Sequence, residues 1–478
     1  MTRTSSLTTF FAAALGAVCA PNAGAQDLSR RPGPQEMPIA LTHATIHTVS
    51  GQDIPDGFIL FDRGIITEVG SMSGGRAFIG TVRQIDCRGK HVYPSLISPS
   101  TQTGLVEHGM TRPSMDFREV GDLTPEVTAA TAVNPDSTLL PVTRANGVLV
   151  CGVFPTGGII PGRASVIRLE GWTWEEMTVE RHAGLALNWP MARTVTAWWM
   201  DRSEDDQRRD NARAVERIRD ALRAARAYLA AKDGPDGANL PTDLRWEAMR
   251  RVLGEMKPSS PGAGGAAAGL GQIPVFISAT DYDQISSAVA WAIEERLKPV
   301  IVGGRDAHLC ADLLKRHDVP VIINSTLAMP RRDDSPIDEA FSLPARLQSA
   351  GVRWCLASGE ETPHERNLPY AAALAVANGG LAHADALRGI TLSTAEILGV
   401  ADRLGSLEQG KEATLVVADG DILEVTTRVE AIYIQGKNVP TTTKQSELAE
   451  KYREKYRQQR PATGEAAGSG GTGVKSGS

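Results

Sequence analysis

Residues 90–105, KHVYPSLISPSTQTGL, decide how the rest of the chain is read. A Gly89-Lys90 turn leads into an apolar run of Val92, Tyr93, Pro94, Ser95, Leu96 and Ile97. The run stops abruptly at a polar cluster, Ser98, Pro99, Ser100, Thr101, Gln102 and Thr103. That pattern predicts a short buried strand over 92–97 whose C-terminal end opens onto a site.

Downstream, strand-like and helix-like segments alternate, as parallel α/β folds require. Strands are expected at 92–97, 147–154, 164–169, 184–189, 274–279, 299–303, 320–324 and 353–358. That number suits a closed (β/α)8 barrel. Helices are expected at 203–232, 245–256, 282–297, 306–317, 337–350 and 368–378. Opposite charges at helical spacing make the first of these a solvated outer helix.

Upstream, IALTHATIHTVS, GFILFDRGIITEVG and RQIDCRGKHVYPS read as short strands with Gly and Asp turns, an antiparallel β unit. His43 and His47 are four apart, a spacing that shares a face on a helix and makes no metal site on a strand. Both read as ordinary sheet histidines. After residue 404, ATLVVADGD and VEAIYIQGKNV are again short strands.

The chain has 478 residues, enough for a large barrel and a smaller partner. With 42% hydrophobic and 22% charged residues, its composition is that of a globular protein. A net charge of −6 gives no reason to expect nucleic acid or an anionic membrane as a partner. Arg3, the apolar segment 10–20 and Ala23-Gly24-Ala25 form a signal-peptide pattern, with cleavage expected before Gln26 and export to a periplasmic or extracellular space. No later run approaches the length of a membrane span. Cys87, Cys151, Cys310 and Cys355 lie far apart without metal-type spacing and read as buried free thiols, a disulfide being the alternative. Residues 258–272 are low-complexity and read as a surface loop, and the tail begins as a charged helix over 448–460.

The stretch around Pro94, Leu96, Ile97 and Gly104 resembles the first barrel strand of the amidohydrolase superfamily, P-G-(L/F)-(I/V)-D-x-H-x-H-x-G. The segments Gly405-Ser406-Leu407, Gly410-Lys411 and ATLVVADGD resemble the family's closing segment, with Thr414 where Asp is usual. ERNLPYAAALAVANGGLAHADALRGITLSTAEILGV resembles imidazolonepropionase-like members, and TGGIIPGRASVIRLEGWTWEEM and PVTRANGV resemble a secreted bacterial subgroup. The resemblance spans roughly residues 38–440.

It implies a TIM-type (β/α)8 barrel at 90–403 and a small β-sandwich built from 26–89 and 404–444. The leader 1–25 precedes them, and a helix and disordered tail at 445–478 follow. It also implies hydrolysis of non-peptide C–N bonds, with zinc or another divalent metal as the family norm. Here the family's Asp falls on Ser98 and its two His on Ser100 and Gln102. The strand-five His falls on Ser278, strand six ends in Gly303 and Gly304, and the strand-eight Asp falls on Gly359. Strand four holds Asn188 and no Lys.

With those ligands replaced, no metal or other cofactor is expected. The favoured reading is a pseudoenzyme that keeps a pocket; the alternative is an active, dipeptidase-like amidohydrolase with a relocated or metal-independent site. For that alternative, Glu107, His108, His308 and His364, with Glu361, lie just past strand ends on the loop side. Ser100 and His108 could form a nucleophile–base pair. The partners left open are a small-molecule ligand and a second copy of the chain.

Overall fold

The computed structural model describes residues 31–196, 199, 201–254, 272–359 and 362–459. The leader 1–25, nearly all of the loop 258–272, Glu361 and the last part of the tail lie outside the described residues.

Before the barrel run β1 (Ile39–Ile46), β2 (Ile54–Asp62), β3 (Ile65–Ser71), β4 (Arg83–Asp86) and β5 (His91–Pro94). The barrel strands are β6 (Leu96–Thr101), β7 (Val148–Val153), β8 (Gly162–Arg168), β9 (Thr178–Asn188), β10 (Val275–Ala279), β11 (Pro299–Gly303), β12 (Val321–Ile323) and β13 (Trp354–Leu356). After it come β14 (Leu415–Ala418), β15 (Val429–Ile434) and β16 (Lys437–Val439).

The two ends of the chain meet in one sheet, ordered β16-β15-β14-β5-β1-β2-β3, with β4 also paired to β1. Its junction is antiparallel, Leu415 opposite Pro94 and Val417 opposite Val92. Leu41, Ile46, Phe61, Val92, Leu415 and Tyr433 pack there into their own apolar cluster. Residues more than 300 positions apart are thus tied by a backbone ladder.

The expected strand 92–97 is two strands. Its first half belongs to the terminal sheet and its second half to the barrel. Pro94 has no N–H to continue the ladder. The Ser95 N–H then donates to Thr414 O at 3.0 Å, and the Leu96 N–H to Gly147 O at 3.1 Å, so the hydrogen bonding passes from one sheet to the other within two residues.

The second sheet runs in order β13-β12-β11-β10-β9-β8-β7-β6, a nearly closed barrel of eight strands. Between its first and last strands the Ile97 N–H donates instead to Ile390 O at 2.8 Å. The barrel strands are expected to run parallel throughout; five of the seven neighbour pairs do, but β8 is antiparallel to both β7 and β9. The reason is length: a parallel return needs a crossover of about a dozen residues or more. The connections 154–161 and 169–177 are shorter and hold only the single turn Trp174–Met177. The expected helix 245–256 is likewise broken into two one-turn pieces, Leu244–Glu247 and Arg250–Leu253.

Ile97, Val150, Val166, Phe276, Ile322 and Cys355 fill the barrel interior, with Ile397 and Leu398 packed against them. The outer helix Glu204–Lys232 starts on Ser203, whose hydroxyl accepts from the Asp206 N–H, and places three acids in its first turn. Both features favour a helix N-terminus. Its buried residues, Ile218, Ala221, Leu222 and Ala225, form one stripe at helical spacing, and the rest of its surface carries i,i+3 and i,i+4 ion pairs. The last described helix, Lys444–Gln459, buries none of its residues. Among the described residues no helix is long and apolar enough to cross a membrane.

Candidate functional site

A cavity of about 560 Å³ opens at the C-terminal ends of β6, β12 and β13. Ser100 and Thr101 reach it from β6 and Gln102 from just beyond. Asn324 follows β12 directly, and Ala357, Gly359 and Thr362 follow β13. Apolar lining comes from Val106, Met115, Phe117 and Leu139, with Phe154 just after β7. Three predicted site positions, Ser100, Gln102 and Gly359, therefore share one cavity with a fourth, Glu107.

The loop that carries Glu107 is pinned by its own backbone. The Leu105 N–H donates to Gln102 O, Glu107 N–H to Ser114 O and Asp116 N–H to Leu105 O, at 2.8–3.0 Å. Glu107 is half-buried, and Asn134 Nδ2 donates to its Oε1 at 3.3 Å. Burial raises its pKa above the usual carboxylate value, against the opposing hydrogen bonds from Ser137 and Asn134.

The remaining predicted residues stand elsewhere. His108 is exposed and does not line the cavity; its backbone N–H donates to Ser114 Oγ at 3.2 Å, and no hydrogen bond joins it to Ser100 among the described residues. The Ser100–His108 pair is not formed. Ser278 is exposed on β10, in register with Asn188 and Val302, outside the cavity lining. His308 lies on the 3-10 turn Ala307–Cys310, with Nδ1 buried and unpartnered and its pKa lowered by burial, then by Arg346. His364 is exposed on the turn Thr362–Asn367.

Asn324, Phe154, Met115 and Phe117 are cavity residues that the sequence did not announce. Asn324 had a signal, since it is the first polar residue after the strand VII. The loop residues had none.

Positions that the resemblance matches to the family's motif residues have surroundings of their own. Ser98 is fully buried, and its Oγ has no hydrogen-bond partner. Gly359 has φ +64°, and a Cβ there would lie 2.2 Å from Asn324 O and 2.5 Å from Ser325 Cβ. Gly304, at φ +55°, would bring a Cβ to 2.5 Å from Val321 Cγ1. These glycines are required by the backbone paths around them, and no side chain fits in their place. Zinc takes about four Cys, His or carboxylate ligands. The described residues of the cavity offer one carboxylate, two amides and hydroxyls, which is not a zinc donor set. Among the described residues no group of three or more His, Cys, Asp and Glu is arranged to hold a metal ion.

Residues 311–446 match the amidohydrolase family profile. The chain is similar in structure to an amidohydrolase from Thermotoga maritima MSB8, at 24% identity and a TM-score of 0.71, over 84% of this chain and 99% of that one. It also aligns with a putative prolidase from Bifidobacterium longum, at 17% identity and a TM-score of 0.48, over 88% of this chain and 99% of that one. The first likeness shows a shared fold. No curated protein matches the sequence.

Proposed function

From an amidohydrolase family domain set in an amidohydrolase fold, we propose that this protein binds a small molecule at the barrel mouth and does not carry out metal-assisted hydrolysis. The observation that carries the reading is Gly359. In the superfamily the corresponding Asp binds metal and serves as general base, and here a Cβ at that position would overlap Asn324 O at 2.2 Å. Replacement of a ligand by a residue whose site excludes any side chain is a structural commitment. Ser100 and Gln102 leave neutral oxygen and amide donors where two imidazoles would stand.

The barrel does not need a metal to fold, since a chain of this length buries ample apolar core. A cavity of this volume lies within the range of small-molecule sites, which pair apolar walls with a few polar groups. On the same reading the chain belongs with the imidazolonepropionase-like, secreted members. Residues 26–89 and 404–444 form its accessory β-domain and 90–403 its barrel, and it is exported after loss of residues 1–25.

The test is elemental analysis of protein purified without chelators, paired with a screen of amide and dipeptide substrates. Substoichiometric metal and no turnover are expected. About one zinc, manganese or iron per chain, with chelator-sensitive hydrolysis restored by zinc, would overturn the proposal.

A further inference from the structure

The charge inside the mouth cavity is one-sided. Among the described residues that line it, Glu107 is the only ionisable side chain, with no Lys, Arg or His beside it in the lining. Its hydrogen bond from Asn134 is neutral, and no described cation forms an ion pair with it. The rings of Phe117 and Phe154 and the thioether of Met115 line the same cavity and carry no charge.

Resting on the reading of this cavity as a binding site, we infer that its ligand is an organic monocation: a primary or secondary amine on an apolar body, its ammonium seated on Glu107. Three features lead there. An anion would meet a carboxylate and no compensating cation, in a site whose walls exclude much of the water. A neutral ligand would leave the half-buried carboxylate with only neutral donors, whereas an ammonium supplies a charge-assisted hydrogen bond about twice as strong. The volume of about 560 Å³ admits the apolar body as well as the charged head. Ser100, Thr156 and Thr362 add hydroxyl oxygens that can accept further N–H bonds.

The experiment uses the full chain and three isosteric probes: 2-phenylethylamine, 2-phenylethanol and phenylacetate, each titrated by calorimetry. Glu107→Gln is the test variant, with its melting temperature and circular dichroism recorded to establish folding. Leu139→Trp, which fills the cavity, reports the site. The amine is expected to bind best. Its affinity should fall about 10- to 100-fold in E107Q, the size of a lost hydrogen bond to a charged group. The alcohol should bind E107Q and the parent alike, and L139W should weaken both. Binding of the alcohol or the acid as tightly as the amine, abolished by L139W, would overturn the cation and leave the cavity as a binding site. Amine binding that is indifferent to E107Q would also overturn it. No binding by any of the three would count against both readings at once.

Discussion

Arg168 and Glu412, 244 residues apart in sequence, form a buried two-pronged ion pair: Nε to Oε2 at 2.9 Å and Nη2 to Oε1 at 2.5 Å. Their side chains are 6% and 8% exposed. Arg168 ends β8, the reversed strand of the barrel, and Glu412 leads into β14 of the terminal sheet. One pair thus locks the late-returning end of the chain to the barrel.

Breaking that pair should be severe. Glu412→Gln leaves a buried guanidinium without its counter-charge, and a loss of about 3–5 kcal/mol is expected in denaturant unfolding. The double replacement Arg168→Met with Glu412→Leu should recover most of it, because two apolar residues avoid desolvation of either charge. Equal losses in the single and double variants would contradict this account.

Restoring the superfamily's acid at Gly359 should fail. At φ +64° and with Asn324 O at 2.2 Å from any Cβ, Gly359→Asp is expected to cost at least about 2 kcal/mol. It should also confer no zinc binding by calorimetry. A variant as stable as the parent that takes up stoichiometric zinc would contradict this expectation.

Acid sensitivity should trace in part to His182. Burial first, then Arg163, Arg181 and Arg251, push its pKa down from 6.5 to about 4. The folded state therefore resists protonation while the unfolded state accepts it. Stability is present above pH 6.5 and is lost as pH falls towards 4. His182→Gln should flatten the slope of melting temperature against pH across that window. An NMR titration of His182 with a midpoint near 6.5 would remove the basis for this expectation.

Thiol counting tests the leader and the core together. The sequence has 5 cysteines, and the described Cys87, Cys151, Cys310 and Cys355 are all free and buried. Burial raises the pKa of each thiol, so little thiolate is available in the native state. Slow reaction with an aromatic disulfide is expected before denaturation. In protein recovered from the exported fraction, four thiols are expected afterwards; a fifth would mean that Cys19, and with it the leader, is retained.

The sequence by itself determined the kind of fold and several positions that line the mouth cavity. Apolar runs ending in polar clusters located the eight barrel strands, because strand interiors must be apolar and strand ends must not be. Ser100, Gln102 and Gly359 were named from the resemblance to the amidohydrolase motifs and do line the cavity, whereas Ser278, named in the same way, does not. The reversal of β8 was not foreseen: the strands were expected to be parallel throughout, and connections too short for a parallel return turned β8 round.

Tertiary structure decided the rest. The run at 92–97 looks continuous as text, and only the presence of two different hydrogen-bonding partners, Thr414 and Gly147, divides it between two sheets. Glu107 and His108 are neighbours in sequence, yet one lines the cavity and the other faces solvent, because the loop's backbone bonds orient the two side chains differently. That Gly359 is compelled to be glycine depends on the carbonyl of Asn324, 35 positions earlier, lying across the space a side chain would fill. Periodicity and spacing record which atoms a residue brings; only the folded backbone sets which of them meet.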